Sequence, residues 1–157
     1  MEHILTSSSV EETRRFGQRL GELLKAGDVI CLFGDLGVGK TSFAQGIGEA
    51  LNVKESLTSP TFMLIQEYTG VAQGREIRLV HMDLYRLQHR DEAEVIGVED
   101  NFLNDTICLI EWPEVALELM PEKRLEVEIK GSGLEERRLI FRSTAREWED
   151  RLRGLFL

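Results

Sequence analysis

The alternation of apolar runs with amphipathic stretches along the chain predicts an α/β protein. The segment "DVICLF", residues 28–33, is an almost unbroken apolar run that stops at a glycine. The segment "TICLIEW", residues 106–112, has the same character. Such runs are typical of strands that are buried on both faces of a parallel sheet. We therefore expect a central sheet in which both of these strands are covered.

Three longer segments carry apolar residues at helical spacing. The first follows the short strand candidate "HILTS"; it begins where Ser9 and Glu12 have the spacing of a capping box, and we expect it to end near Gly27. The second runs from Lys40 to about residue 51. The third, "TAREWEDRLRGLFL" at the end of the chain, places its large apolar side chains on one face.

Two hairpins are also predicted. The segments "TFMLIQEY" and "REIRLVHM" flank the turn-like "TGVAQG", and "RLEVEIK" and "RRLIFRS" flank the turn "GSGLEE". Between the hairpins, "LQHRDEAEVIGVEDNF" predicts a short helix with a loop, and "EVALELM" predicts another short helix. Because the chain shows no repeat, linker or low-complexity segment, we expect one domain over residues 1–157 with a mixed sheet.

A glycine-rich loop, "GDLGVGKT" at residues 34–41, joins the strand "DVICLF" to the second helix and fits the phosphate-binding pattern G-x-x-x-x-G-K-[ST]. Glycines let such a loop point its backbone N–H groups at a phosphate, where a Cβ would obstruct the approach. Lys40 would reach the β- and γ-phosphates, Thr41 would offer its hydroxyl to Mg²⁺, and the helix adds its N-terminal partial positive charge. The predicted nucleotide-binding residues of the loop are Gly34, Asp35, Leu36, Gly37, Val38, Gly39, Lys40, Thr41 and Ser42.

Acidic residues follow two of the strand-like runs. Asp83 comes after "IRLVHM" and Glu111 comes after "TICLI". Open α/β sheets place ligands at the carboxyl ends of their strands, and nucleotide hydrolysis needs carboxylates there to hold the metal and orient the attacking group. We expect Asp83 and Glu111 to act with Lys40 in catalysis and with Thr41 in metal binding. His81, which lies within the strand, is interpreted as a packing residue.

The segment Ser59, Pro60 and Thr61 lies between the loop helix and the next strand. Many nucleotide switches keep a segment that senses the γ-phosphate at this place. In that interpretation, Thr61 contacts metal or water. A Ser-Pro turn that simply opens the strand is the alternative.

The charge balance and the composition limit the class of partner. The 157 residues carry a net charge of −9, so the surface as a whole repels a polyanion such as tRNA and disfavours direct nucleic-acid binding. No segment reaches the about 18 uninterrupted apolar residues of a membrane helix, and the first residues lack the features of a signal peptide, so we expect a cytoplasmic protein without a membrane partner. Cys31 and Cys108 lack C-x-x-C spacing and are predicted to be buried free thiols.

Two basic clusters interrupt the acidic background. Arg86, His89 and Arg90 form either a local site for a partner or phosphate, or a solvated face. A docking surface is one interpretation of the basic tail, and a solvated face is the other. The arginines of that tail are Arg137, Arg138, Arg142, Arg146, Arg151 and Arg153.

Several classes of phosphate-loop protein can be weighed on the sequence. A guanine-specific switch is disfavoured because "NVKE", residues 52–55, does not match N-K-x-D and lies too early in the chain. A small-molecule kinase would need a mobile lid, for which residues 87–104, with the single arginine Arg90, are the only candidate. A docking module, in which ATP binding alone changes the affinity for a partner, is the third possibility.

Four segments then resemble one family. "GDLGVGKTSFAQGIGEAL", "SPTFMLIQEY", "HMDLYRL" and "LIEWPE" occur in an order and spacing similar to those of TsaE proteins, small bacterial ATPases required for making threonylcarbamoyladenosine in tRNA. The segments extend from Gly34 to Glu114, and the departures at Val38 and Met82 affect no polar role. The resemblance implies a three-layer α/β P-loop NTPase fold with a mixed, mainly parallel central sheet.

The resemblance also implies an activity and its partners. TsaE proteins bind and slowly hydrolyse ATP with Mg²⁺, and they act with TsaD and TsaB, the pair that transfers the threonylcarbamoyl group to adenosine 37 of tRNA. Contact with tRNA would then be indirect, through that complex. By the same resemblance Thr41 and Glu111 hold Mg²⁺, and Trp112 lies near the nucleotide. Val10 and Arg137 are the candidates for contacts with adenine.

Overall fold

The computed structural model describes residues 2–58, 64–131 and 133–156. Its strands are β1 (Glu2–Ser7), β2 (Val29–Phe33), β3 (Ile65–Ala72), β4 (Arg75–Asp83), β5 (Thr106–Glu111), β6 (Leu125–Gly131) and β7 (Arg137–Arg142). Its α-helices are α1 (Val10–Gly21), α2 (Lys40–Ala50), α3 (Arg90–Val95) and α4 (Arg146–Phe156), and two 3₁₀ helices span Val98–Asn101 and Pro113–Leu119. None of the helices in the described ranges is long and apolar enough to cross a membrane.

The strands form one sheet in the order β1-β7-β6-β2-β5-β4-β3. The central strands β6, β2, β5 and β4 pair in parallel, whereas β3 at one edge and β7 and β1 at the other pair antiparallel. The two long apolar runs of the sequence become β2 and β5 in the middle of the sheet, where both faces are covered. This confirms the predicted α/β fold with a mixed sheet that is parallel in its centre.

Helices cover both faces of the sheet. Successive residues of a strand point to opposite faces. In β2, Ile30 and Leu32 therefore pack in the core that α1, α2 and α4 share. Val29 and Cys31 pack in a second core with α3 and the two 3₁₀ helices. The predicted three layers are confirmed, and Cys31 and Cys108 are buried free thiols in the second core, as expected.

Close contact between α1 and α2 fixes the position of α1 relative to the glycine loop. A Cβ on Gly17 of α1 would lie 2.1 Å from the carbonyl oxygen of Phe43, and one on Gly46 of α2 would lie 2.0 Å from the carbonyl oxygen of Arg14. Any side chain at either glycine would force the helices apart, because both obstacles are backbone atoms. The contact holds the first turn of α1 beside the start of α2.

The first helix is shorter than predicted. It ends at Gly21 rather than near Gly27. The N–H groups of Leu23 and Leu24 donate to the carbonyls of Leu20 and Gly21, which is the tighter 3₁₀ spacing rather than the α-helical one. Gly27, at a φ of 97°, belongs to a later turn before β2.

The first hairpin also differs from the prediction, in that its turn is only two residues long. Strand β3 continues to Ala72, and the chain reverses at Gln73 and Gly74, which have φ angles of 51° and 75°. Such left-handed pairs match the twist of the flanking strands. Gly70 lies inside β3, where a Cβ would come 2.7 Å from the carbonyl oxygen of Leu51. This glycine therefore marks a close backbone approach and not a turn.

Candidate functional site

The glycine loop connects the end of β2 to the start of α2 in a conformation that side chains disfavour. Gly34, Gly37 and Gly39 have φ angles of 146°, 78° and 107°. At Gly34 a Cβ would also lie 2.6 Å from the carbonyl oxygen of Ile129. Gly39 is the residue before α2 and supplies no side-chain cap. The first N–H groups of a helix find no partner within the helix itself, so this end of α2 suits an anion.

A cavity of about 480 Å³ opens in front of this loop. The loop, the ends of β4 and β5, the first turn of α1 and the hairpin between β6 and β7 form its walls. The predicted site residues that line it are Val10, Leu36, Gly37, Val38, Gly39, Lys40, Thr41, Ser42, Asp83, Glu111, Trp112 and Arg137. Gly34 and Asp35 instead line a neighbouring cavity of about 510 Å³. Ser59, Pro60 and Thr61 lie outside the described residues.

Lys40 is buried at the inner end of the cavity. Its Nζ donates a hydrogen bond of 2.6 Å to the carbonyl of Gly34 and lies 3.8 Å from the centre of the Trp112 ring. Burial away from water lowers the pKa of Lys40, while the negative charges of Glu111 and Asp83 oppose that change. The charge of the buried ammonium is therefore only partly compensated, and a bound anion would compensate it further.

Asp83 and Glu111 lie side by side. They are paired in the parallel register of β4 and β5, so both point to the face of the sheet that α2 covers. Asp83 accepts a hydrogen bond of 2.9 Å from the N–H of Tyr85. Partial burial raises the pKa of Asp83; that N–H lowers it, and the nearby carboxylate of Glu111 raises it further. The two acids thus meet at one point near Lys40.

His81 makes a contact that the sequence analysis missed. Its Nε2 lies 2.6 Å from Oε2 of Glu111, and both side chains are almost completely buried. His81 is interior, as a packing residue would be, but it is bonded to a predicted site residue. The signal in the sequence is the two-residue spacing of His81 and Asp83, because alternate residues of a strand share a face.

Asp83 and Glu111 suit a magnesium ion that takes its other ligands from water and from the phosphates of a bound nucleotide. Among the residues that the structure describes, no group of three or more His, Cys, Asp and Glu side chains could hold a metal without help. Mg²⁺ is usually bound through one or two carboxylates, several waters and substrate phosphates. Asp83, Glu111 and the hydroxyl-bearing Thr41 line one cavity beside a phosphate-shaped loop, so this donor set fits Mg²⁺ with ATP.

Trp112 is held in an uncommon backbone conformation directly after Glu111. Its φ and ψ are both 54°, in the left-handed region, which bulky residues rarely adopt. Its ring lies 4.8 Å from that of Tyr85, measured between centroids, and also contacts Lys40. Strained residues of this kind concentrate at functional sites. The expectation that Trp112 lies near the nucleotide is consistent with this position.

Arg137 ties the hairpin after β6 to the glycine loop. Its Nε donates to the carbonyl of Val38 at 2.7 Å, and its other nitrogens donate to carbonyls of the hairpin, including that of Glu136 at 2.7 Å. Val10, at the first turn of α1, is half-exposed at the opposite wall of the cavity. A role for either residue in binding adenine stays a prediction.

The candidate lid does not cover the cavity. Within residues 87–104, Ala93 and Val98 are buried in the core on the sheet face opposite to α2. Arg90 forms an ion pair with Glu118. The packing of this segment in the third layer counts against a mobile lid over the cavity. In the nearby basic cluster, only Arg86 reaches the cavity.

Several arginines of the basic tail serve the fold. Arg142 pairs with Glu2 and Glu128. Arg151 pairs with Asp28 at the start of β2. Arg137 is bound to the glycine loop and Arg153 pairs with Asp150, so four of the six tail arginines have partners within the molecule. The tail therefore does not present all of its charge to a docking partner.

Comparison with known proteins agrees with this geometry. A family model described as the threonylcarbamoyl adenosine biosynthesis protein TsaE matches residues 7–140. The chain belongs to the TsaE family. The glycine loop, both acids and Trp112 all fall within the matched residues.

Relatives and a solved structure extend the match over most of the chain. The tRNA threonylcarbamoyladenosine biosynthesis protein TsaE of Bacillus subtilis is 39% identical over 140 residues, which cover 88% of this chain and 84% of that protein. The protein of the same name from Streptomyces coelicolor is 41% identical over 117 residues, covering 74% and 77%. The crystal structure of Bacillus subtilis YdiB superposes with a TM-score of 0.79 at 32% identity, covering 99% of this chain and 94% of that one.

Proposed function

We propose that the protein is a Mg²⁺-dependent ATPase that assists TsaD and TsaB in forming threonylcarbamoyladenosine at position 37 of tRNA, by resetting that complex between turnovers. The chain belongs to a family of threonylcarbamoyladenosine biosynthesis proteins. The observation that carries the proposal is the convergence of Lys40, Asp83 and Glu111 at the inner end of one cavity, directly in front of the glycine loop.

Each residue has a role in this proposal. Lys40 and the backbone N–H groups of the loop bind the β- and γ-phosphates, where their charge and the start of α2 favour an anion. Thr41, Glu111 and Asp83 hold the metal, directly or through water, and Asp83 also helps to orient the attacking water. When bound, Mg²⁺ neutralises charge that develops on the phosphate oxygens.

The acidic character of the chain supports indirect contact with tRNA. With a net charge of −9, the protein is repelled by a polyanion at long range. A subunit that acts on TsaD and TsaB does not need to grip tRNA itself. We therefore expect ATP turnover to respond to the protein partners more than to tRNA alone.

Phosphate release from Mg-ATP tests the proposal. It is measured with the purified chain alone, then with TsaD and TsaB, and then with unmodified tRNA as well. We expect slow release by the chain alone, faster release with the partners, and more tRNA molecules modified per complex. Partners that change neither quantity would refute the coupled role. Lys40→Ala serves as the inactive control.

The other two functions make different predictions. A small-molecule kinase is disfavoured because its candidate lid is packed on the opposite side of the sheet. A docking module that needs only ATP binding would keep supporting modification when hydrolysis is removed. A Glu111→Ala variant that binds ATP, releases no phosphate and yet sustains repeated modification would favour the docking module over the ATPase.

A further inference from the structure

The ends of β4 and β5 carry a buried contact that the proposed roles do not explain. His81 and Glu111 approach to 2.6 Å, and their side chains are only 1% and 3% exposed. Asp83 pairs with Glu111 across the two strands, and His81 lies two residues before Asp83. All three side chains therefore point to the face of the sheet that α2 covers.

The direction of this hydrogen bond follows from the chemistry of the two groups. A carboxylate can only accept, so Nε2 of His81 donates to Oε2 of Glu111. The other ring nitrogen, Nδ1, is buried and has no hydrogen-bond partner among the described residues. Among those residues, the bond to Glu111 is thus the single polar contact of the imidazole.

Packing alone gives a poor reason for a histidine here. Its neighbours on the same sheet face, Leu79 and Leu109, are completely buried and apolar. A leucine would fill such a position without burying two ring nitrogens, one of which has no partner in the described structure. The imidazole is explained if its Nε2–H is needed at the carboxylate of Glu111.

We propose that His81 is a positioning residue that fixes the carboxylate of Glu111 for the metal. Its Nε2–H occupies Oε2, so that Oε1 is the oxygen offered to Mg²⁺ in the cavity that Glu111 lines. Without this bond the carboxylate can turn about its last torsion and offer either oxygen. Hydrogen bonds behind a metal ligand commonly contribute about 10-fold or more in metal affinity. This inference rests on the proposed function, since it assumes that Mg-ATP binds here.

Three substitutions separate positioning from packing. His81→Gln places an amide N–H at the end of a chain long enough to reach Glu111. His81→Asn keeps an amide that is too short to reach it, and His81→Leu removes the donor. The measured quantity is the factor by which Mg²⁺ tightens binding of a non-hydrolysable ATP analogue, obtained by calorimetry in Mg²⁺ and in EDTA. Thermal unfolding of each variant is followed separately.

We expect His81→Asn and His81→Leu to lower this factor about 10-fold while the affinity in EDTA is unchanged, and His81→Gln to keep most of it. If His81→Leu does not fold, the comparison of the Gln and Asn variants decides. Equal factors in the wild type, Gln and Asn proteins would overturn the positioning role and leave the ATPase proposal standing. A wild type that binds the analogue equally with and without Mg²⁺ would refute the proposed metal site, and this inference with it.

Discussion

Buried charges lie near both ends of β2, and they differ in whether the protein supplies a counter-charge. At the start of the strand, Asp28 accepts two hydrogen bonds from Arg151, at 2.6 and 2.8 Å. At the other end, Lys40 is equally buried, yet within the described residues it forms no ion pair with Asp83, Glu111 or any other acid. The charge of Asp28 is thus matched by a counter-charge within the protein. The second group of charges is arranged so that a ligand can complete it.

The pKa directions agree with this contrast. Burial lowers the pKa of Lys40 and raises that of Asp83, so in each case the charged form lacks full compensation. Charged groups kept under such conditions concentrate at functional sites. The difference between the two ends of β2 therefore separates a charge pair that holds the fold together from charges that bind and act.

The largest effect is expected for Lys40→Ala. The ammonium of Lys40 lies in the cavity beside Asp83 and Glu111, whose negative charges act on it. Removing one group that stabilises developing charge commonly costs about 10²- to 10³-fold in rate. Stability should fall only modestly: the hydrogen bond to the Gly34 carbonyl and the contact with Trp112 are lost, but no ion pair among the described residues is broken. Phosphate release and urea unfolding, measured on the same preparation, check both parts.

Lys54→Ala is the matched control for that substitution. Lys54 is exposed and follows the C-terminal end of α2, whereas the glycine loop precedes the N-terminal end, so neither turnover nor stability should change. A Lys40→Ala protein that hydrolyses Mg-ATP like the Lys54→Ala protein would show that the cavity is not the site of the reaction.

Arg151→Met should affect stability instead of turnover. Asp28 is only 6% exposed, and removing one partner of a buried pair typically costs about 3 to 5 kcal/mol. The expected result is a loss of about 3 kcal/mol in the free energy of unfolding, with turnover retained below the melting transition. Urea titration measures the first quantity and phosphate release the second.

Arg153→Met supplies the comparison for that loss. Arg153 pairs with Asp150 on the surface, where the side chains are 71% and 60% exposed. Exposed pairs contribute about 0 to 1 kcal/mol, so the substitution should be almost silent. Equal losses in both variants would mean that the contact between Arg151 and Asp28 has no special role in stability.

Asp83→Asn should have a smaller effect on stability, with the opposite sign. The pKa of Asp83 is raised in the folded protein, so its ionised form destabilises the fold at neutral pH. The asparagine oxygen can still accept from the Tyr85 N–H. We expect a higher melting temperature than in the wild type at neutral pH. The gain should shrink as the pH falls through the raised pKa towards the ordinary value of about 3.9, because the wild-type acid is then neutral as well.

Melting curves from about pH 3.5 to about pH 8, a range that begins below the ordinary value, follow that difference. Turnover of the Asp83→Asn protein should fall over the whole interval. A melting temperature below that of the wild type at neutral pH would contradict the assigned direction of the pKa change.

The same contrast explains what the sequence could and could not predict. The glycine loop, Asp83 and Glu111 could be found because each follows an apolar run, and strand ends at one edge of a parallel sheet meet. The pairing of Arg151 with Asp28 could not be found, because it joins residues that are 123 positions apart. Local periodicity contains no information about which distant side chains face each other.

The contact of His81 with Glu111 was missed for a related reason. The strand period shows that His81 and Asp83 share a face, but the offset between β4 and β5 decides which residue of the next strand lies within reach. Gly70 was misinterpreted because a glycine required by a neighbouring backbone resembles a turn glycine in the sequence. In both cases the deciding atoms belong to an element that is distant along the chain.

The smallest expected effect is on the labelling of the two buried cysteine thiols, which are neutral at physiological pH. Burial raises the pKa of Cys31 and Cys108 to about 12, so neither forms the reactive thiolate near neutrality. A thiol reagent at neutral pH should label the native protein no faster than it unfolds, and urea should increase labelling in step with unfolding. Rapid labelling of one cysteine in the fully active protein would reveal a local opening in the core behind β2 and β5. Since Cys31 lies within the same strand that joins Asp28 to the glycine loop, such an opening would mean that the two charge clusters are not held by one rigid element.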